Sequence, residues 1–283
     1  MRLSEWWFVG YFAYVVFISG FFRDRPNLHA QPFVYLIAAV TFFLLLSKLQ
    51  RGRLEKPLGI LRDWLPIVVL VIAFREMELF VPTKYDLVLE RSWIKLDQIV
   101  LHDWGWRAAI ESFGNTIPLY LELCYLLVYG LAAFSLAWIV FRDDQRAVDY
   151  FWAVYLSGTL SAYALFPYYP SLHPRYAFVL VEPPGVTTWA RTLNLEVLRG
   201  ATIHSGVFPS AHVSSAFSAV WALYFLFPHR PWLVCIMVIY ACSVSLASVY
   251  GRYHYIADGL AGFAVSLIAL GVAFALRNYV QKH

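Results

Sequence analysis

Eight long apolar runs, at 6–22, 32–47, 64–80, 118–141, 150–166, 211–227, 232–249 and 256–276, constrain this chain more than any other feature. A helix needs about 20 mostly apolar residues to cross the hydrocarbon of a bilayer, and only structures that pair all their backbone groups can do so. The runs show no alternation of period two, which argues against a barrel. The expected fold is therefore all-α, a polytopic membrane helix bundle of about eight transmembrane helices. With 60% hydrophobic and 14% charged residues and a mean hydropathy of +0.60, the chain has too little polar surface for a soluble monomer of 283 residues. The third run is the weakest, because Arg75, Glu76 and Glu78 fall near its end.

The first run carries Trp6 and Trp7, and no small-residue cleavage pattern follows Phe22, so it reads as a retained anchor. Lys48, Arg51, Arg53, Lys56 and Arg62 follow the second run, Arg142 and Arg146 the fourth, and Arg277 and Lys282 the last. By the positive-inside rule both termini are expected in the cytoplasm, of a plasma or inner membrane protein. The long connections 81–117 and 167–209 then face the opposite side. Within the first of them, residues 97–113 mix Trp104, Trp106, Ile110 and Phe113 with charge, as an interfacial helix would. Cys124, Cys235 and Cys242 lie inside apolar runs without metal-ligand spacing, so neither a disulfide framework nor a cysteine metal site is implied. No repeat or linker divides residues 1–283, and one membrane domain is expected.

Two segments at the edges of apolar runs carry the chemistry. Ionisable groups in such places are functional-site candidates by default. His254 and Asp258, in Arg252-Tyr253-His254-Tyr255-Ile256-Ala257-Asp258, are four apart and share one helical face if the last helix begins near Tyr253. Asp258 can then hold one ring nitrogen of His254 and leave the other free to attack or to take a proton. An i, i+4 pair of this kind is also a common helix-stabilising contact. Phe208-Pro209-Ser210-Ala211-His212 adds a helix start with free backbone amides, a hydroxyl and a second histidine, a combination suited to an anion. A Pro-Ser start is equally a common cap.

Together the segments resemble the type 2 phosphatidic acid phosphatase superfamily, related to vanadium haloperoxidases, over roughly residues 166–263, the expected catalytic core. Phe208-Pro209-Ser210-Ala211-His212 is similar to the family's Pro-Ser-Gly-His signature, with Ala211 in the glycine place. The stretch from Ser248 to Asp258 is similar to its final motif, with the His-x-x-x-Asp spacing intact. The resemblance implies that His254 is a nucleophile forming a phosphohistidine, that Asp258 orients it, and that His212 protonates the leaving group. Ser248 stands where the family has arginine, and the nearest cation is Arg252. The family's first motif is absent as such, and Arg175 of Pro174-Arg175 is the candidate second phosphate clamp. A guanidinium suits that task because its fork matches phosphate oxygens and it stays charged. Either arginine could instead be an ordinary interfacial charge.

These departures look more like the inositol phosphorylceramide synthase-like phosphotransferase branch than the commoner bacterial phosphatases. The implied activity is cleavage of a lipid phosphoester, with transfer to water or to an inositol or lipid hydroxyl. Ser210, Ala211, Arg252 and Arg175 are the expected phosphate-binding residues. No cofactor, metal or nucleic-acid partner is expected. A non-enzymatic lipid or anion transporter using the same basic site is the alternative.

Overall fold

A computed structural model describes residues 1–140, 145–178, 183–204 and 206–281, and among them the regular elements are all helical. In chain order these are α1 (Leu3–Ser19), α2 (Gln31–Leu49), α3 (Glu55–Glu76), α4 (Val88–Gln98), α5 (Trp106–Glu111), α6 (Thr116–Leu127) and α7 (Leu131–Val140). There follow α8 (Gln145–Leu165), α9 (Pro174–Ala177), α10 (Trp189–Ala201), α11 (Ala211–Leu226), α12 (Pro231–Tyr250), α13 (Ile256–Ala275) and α14 (Arg277–Gln281). Arg142 and Lys282, two of the charges used for orientation, and Phe141 lie outside the described residues.

Each of the eight apolar runs is largely helical among the described residues, but the number long and apolar enough to cross a membrane is smaller. Among the described residues there are five such helical stretches, Gln31–Leu49, Gly52–Phe80, Thr116–Val140, Pro231–Tyr250 and Ile256–Ala275, which mark an integral membrane protein. The stretch 52–80 is α3 with a short 3₁₀ turn at each end, and 116–140 is α6 and α7 joined through one. Helices α1 and α11 are apolar but only 17 and 16 residues long. Helix α8 has the length, at 21 residues, yet it encloses Asp149, Ser157 and Thr159. It can carry them because it is the interior post of the bundle, packed on α1, α11 and α13 and shielded from lipid.

Small residues let these helices approach. Helix α11 buries Ser214, Ala216, Ser218, Ala219 and Ala222, and the Ser214 hydroxyl donates to the Gly158 carbonyl of α8 at 3.0 Å. Without lipid-excluded apolar driving force, close van der Waals contact and interhelical hydrogen bonds of this kind hold membrane helices together. A Cβ on Gly158 would sit 2.0 Å from the Ser218 hydroxyl, and one on Gly262 of α13 would sit 2.4 Å from the Ser210 backbone oxygen.

Polar contacts sort the helix ends into two levels. At one end the Asp149 carboxylate takes the Leu3 and Ser4 amides at 2.9 and 3.0 Å, where the α1 dipole favours an anion. Arg62 pairs with Glu5 through two bonds of 2.7 Å, and Arg2 with Asp63 at 2.5 Å. The Tyr150 hydroxyl donates to the Ala273 carbonyl at 3.0 Å, bringing the end of α13 to the same level as the start of α1. The starts of α11 and α13 and the end of α12 gather at the opposite level.

The connection 81–117 differs from expectation. Residues 97–113 are not one interfacial helix: α4 runs on into a π-helical turn, Ile99–Asp103, and Gly105 at φ 73° breaks the chain before α5. A left-handed residue at that point suits glycine and ends the helical path. Helix α10, in the second long connection, was not expected; its Thr188 hydroxyl caps it by accepting from the Arg191 amide at 3.2 Å.

Two glycines of α13 are predicted to behave differently. Gly262→Ala drives a methyl into a backbone carbonyl that cannot rotate away, and should lower stability by about 1–3 kcal/mol. Gly259→Ala, one turn earlier with open space around its Cβ, should be neutral or stabilising. Thermal melting of the two purified variants against the parent checks the contrast.

Candidate active site

The loop between α12 and α13 is shaped by backbone bonds before any side chain acts. The amides of Tyr253 and His254 both donate to the Ser248 carbonyl at 2.9 Å, turning the chain back over the end of α12. Ser248 itself is fully buried, and its hydroxyl donates to Ser245 of its own helix at 2.8 Å. Arg252 adopts the left-handed region at φ 62°, a conformation that costs a non-glycine residue on the order of 1 kcal/mol and persists only when its surroundings hold it. What holds it is Asp97 of α4. Asp97 Oδ2 accepts from Arg252 Nη1 at 3.0 Å, and its Oδ1 accepts from the Ile256 amide at 2.9 Å.

Asp258 is fully buried and joins three pieces of chain. Its Oδ2 accepts from the Tyr255 amide at 2.9 Å, capping α13, and from His254 Nδ1 at 3.3 Å. Its backbone carbonyl accepts from the Ser210 amide at 2.9 Å, tying the start of α11 to the same point. With its proton held at Nδ1, His254 turns the Nε2 lone pair toward His212 Nδ1, 3.4 Å away. The two imidazole rings lie 5.6 Å apart, and Tyr125 and Tyr129 each pack 5.2 Å from the His212 ring.

The expected phosphate ligands occupy different settings. Ala211 lines the cavity beside His212. The fully buried Ser210 uses its hydroxyl as the α11 cap, accepting from the Val213 amide at 3.4 Å. Arg252 is engaged by Asp97, since a guanidinium this deeply buried needs a counter-charge, and its buried Nη2 has no partner among the described residues. Arg175 donates from Nη2 to the Thr202 hydroxyl at 3.3 Å and stacks 4.7 Å from the Tyr176 ring, while its buried Nη1 has no partner among the described residues.

Three groups were not found in the sequence. His173, in the turn before α9, is buried and donates from Nδ1 to the Tyr253 carbonyl at 2.8 Å, with its ring 5.9 Å from that of His254. Asp97 was seen only as part of a charged segment. Glu122, inside an apolar run, accepts from Arg191 at 2.9 Å, Asn194 at 2.8 Å and the Tyr253 hydroxyl at 2.6 Å, and so grips the residue next to His254. An ionisable residue within an apolar run and a histidine between prolines beside Arg175 were the available signals.

Electrostatics keep the nucleophile candidate neutral. Burial, reinforced by the Arg175 charge, pushes His254 down to about 3 against a small opposing effect of the Val207 backbone. His173 is lowered well below the usual imidazole range by burial, then by Arg175 and His254. Burial raises Asp97 to about 6, although the Ile256 amide and Arg252 both favour its anion. A neutral imidazole with one nitrogen held by a carboxylate has a lone pair available for attack at neutral pH.

A cavity of about 340 Å³ opens on these groups. His254, His212 and His173 line it, and so do Ile67, Leu70, Val71 and Phe74 of α3 with Val128 and Ala132 from the α6–α7 side. Val71 is itself exposed on the outer surface of the bundle, so the apolar wall reaches from the histidines to the lipid-facing side. Among the described residues no group of three or more histidine, cysteine or acidic side chains could hold a metal ion.

Comparison with curated proteins and with solved structures gives no match. A family model described as the PAP2 superfamily matches residues 93–272, more than half of the chain. The matched span begins just before Asp97 and ends within α13, so it encloses the His254–Asp258 pair, His212, His173, Arg175 and the α11 start that Asp258 ties to them, and the chain belongs to the PAP2 superfamily.

Proposed function

We propose that this protein is a membrane lipid phosphatase or phosphotransferase that cleaves a lipid phosphoester through a phosphohistidine on His254. Membership of the PAP2 superfamily supports a phosphatase-type phosphoesterase acting on a phosphorylated lipid. The observation that carries the mechanism is the arrangement of His254, with Nδ1 held by Asp258 and Nε2 directed at His212, in a cavity that continues into an apolar wall.

In the first displacement the Nε2 lone pair of His254 forms the bond to phosphorus as the ester P–O bond breaks. The protonated form of His212 gives its proton to the departing oxygen. In the second, a hydroxyl acceptor attacks phosphorus, its proton passes to His212, and the P–N bond breaks to regenerate His254. Both steps need charge on the equatorial oxygens stabilised by fixed donors. Arg175, whose guanidinium lies over the Tyr253 ring next to His254, is assigned this role, with amides at the α11 start beside Ala211. Arg252 is assigned to shaping the loop through Asp97.

The apolar wall suits the hydrocarbon of a lipid phosphate. The acceptor proposed is an inositol or lipid hydroxyl, as in the inositol phosphorylceramide synthase-like branch. All eight apolar helices are proposed to cross the membrane of a plasma or inner membrane protein. Arg2, Lys48, Arg51, Arg53, Lys56, Arg62 and Arg277 gather at the level of both termini, which supports placing that level in the cytoplasm and the histidines on the opposite side.

Incubation of the purified protein with labelled phospholipid, with and without inositol or another alcohol, should give a new phosphodiester only when the alcohol is present. Free phosphate alone would reduce the reading to a phosphatase, and lipid movement without any bond cleavage would make the protein a transporter. His254→Ala should lower turnover by about 10⁴-fold or more, and Asp258→Asn by about 10²–10⁴-fold with folding retained. Unchanged phosphoester cleavage in the His254 variant would sink the mechanism.

Arg252→Gln should cost about 3–5 kcal/mol by stranding the Asp97 carboxylate. The double variant Asp97→Asn/Arg252→Gln should recover most of that stability in thermal melts and keep turnover within about tenfold of the parent, the loss of roughly one neutral hydrogen bond. A turnover loss that persists once stability is restored would instead assign Arg252 a direct phosphate contact.

A further inference from the structure

His173 is the one cavity-lining histidine with no role in the two displacements. Its placement is nevertheless built. The Nδ1 proton is committed to the Tyr253 carbonyl, which fixes the tautomer and aims Nε2, on the far edge of the ring, away from that bond. Nε2 has no hydrogen-bond partner among the described residues, and the residue lines the same cavity as His254 and His212. Two residues along the chain, the buried Nη1 of Arg175 is likewise unpartnered. The imidazole nitrogen belongs to a cavity-lining residue, and the Arg175 guanidinium, 5.8 Å from the Tyr253 ring, carries its charge close enough to act on both His173 and His254. A cation and an imidazole nitrogen so placed suit two oxygens of one tetrahedral dianion.

We propose that His173 is an anion ligand of this site, binding an oxygen of a phosphate ester or of inorganic phosphate through its protonated Nε2, with Arg175 as the second arm. The inference rests on the phosphoester reading of the cavity and adds a proton to substrate binding. In the free site the groups facing His173 are His254 and Tyr253 from the loop, His212 from α11, and Arg175 and Tyr176 from its own segment. Tyr255 and Glu90 of α4 hold the neighbouring Leu172 backbone at 3.1 and 3.0 Å. The nearest charge is cationic and the site is buried, so the ring stays neutral. A bound dianion reverses that balance, because the charged imidazole then gains a charge-assisted hydrogen bond. Binding therefore takes up a proton, and affinity falls as pH rises.

Isothermal titration of inorganic phosphate and of sulfate into the purified full chain, at pH 6 and pH 8, tests this. Sulfate keeps its charge across that range, so its pH dependence reports the protein. In the wild type, sulfate should bind about tenfold or more weakly at pH 8 than at pH 6, the effect of losing one charge-assisted bond. His173→Gln should weaken both anions about tenfold or more at pH 6 and only about twofold at pH 8, while His173→Lys should restore binding and flatten the pH dependence. A flat wild-type profile, which needs no variant to fold, overturns the proposal. So does an equal loss at both pH values in His173→Gln. Phosphate bound in the predicted manner with no cleavage of any lipid phosphate would sink the catalytic reading and leave this one standing. Normal cleavage with phosphate binding indifferent to His173 would do the reverse.

Discussion

The site depends on a single buried carboxylate. Asp258 accepts the Tyr255 amide and His254 Nδ1 through one oxygen, and its own carbonyl receives the Ser210 amide. In a low-dielectric interior each of these bonds is costly to leave unmade, so the helix cap, the tautomer of His254 and the position of the α11 start are fixed together. His212 and His254, the proposed catalytic pair, face each other because two chain segments more than forty residues apart share this anchor.

Close packing makes the anchor possible. Helix α13 can bring Asp258 to the α11 start only because Gly262 leaves room for the Ser210 carbonyl, and α11 can reach α8 only across Gly158. The same packing explains why the most interior helices are the least lipid-like. Buried serines and threonines on α8 and α11 find carbonyl partners in their own helices, at 2.8 Å for Thr159 to Tyr155 and 2.7 Å for Ser218 to Ser214, or across the contact, at 3.0 Å for Ser214 to Gly158. A run that touches protein on all sides is free of the length and hydropathy that lipid imposes.

A second layer of charge supports the loop. Asp97 compensates Arg252 in a left-handed turn, and Glu122 collects Arg191, Asn194 and Tyr253 on the other side of His254. Both carboxylates are nearly inaccessible, and both are paired, as buried charges must be. These contacts come from α4, α6 and α10, outside the two motifs, and they hold the loop that the motifs populate. The positions of Arg175 and His173 follow from that loop, since both lie against Tyr253.

What the sequence determined by itself was what is local: apolar runs long enough for helices, the i, i+4 spacing of His254 and Asp258, and the Pro-Ser start of α11. Spacing along one helix is set by its 3.6-residue period, so that pair was legible without knowledge of its neighbours. The tertiary structure alone decided which helices are enclosed by the bundle, that Asp97 pairs with Arg252 while Arg175 lies over Tyr176 and Tyr253, and that His173 joins the cavity. Those outcomes depend on which helices touch, over separations such as the 155 residues between Asp97 and Arg252. Burial and counter-charge are properties of the packed assembly, and residue type and spacing do not contain them.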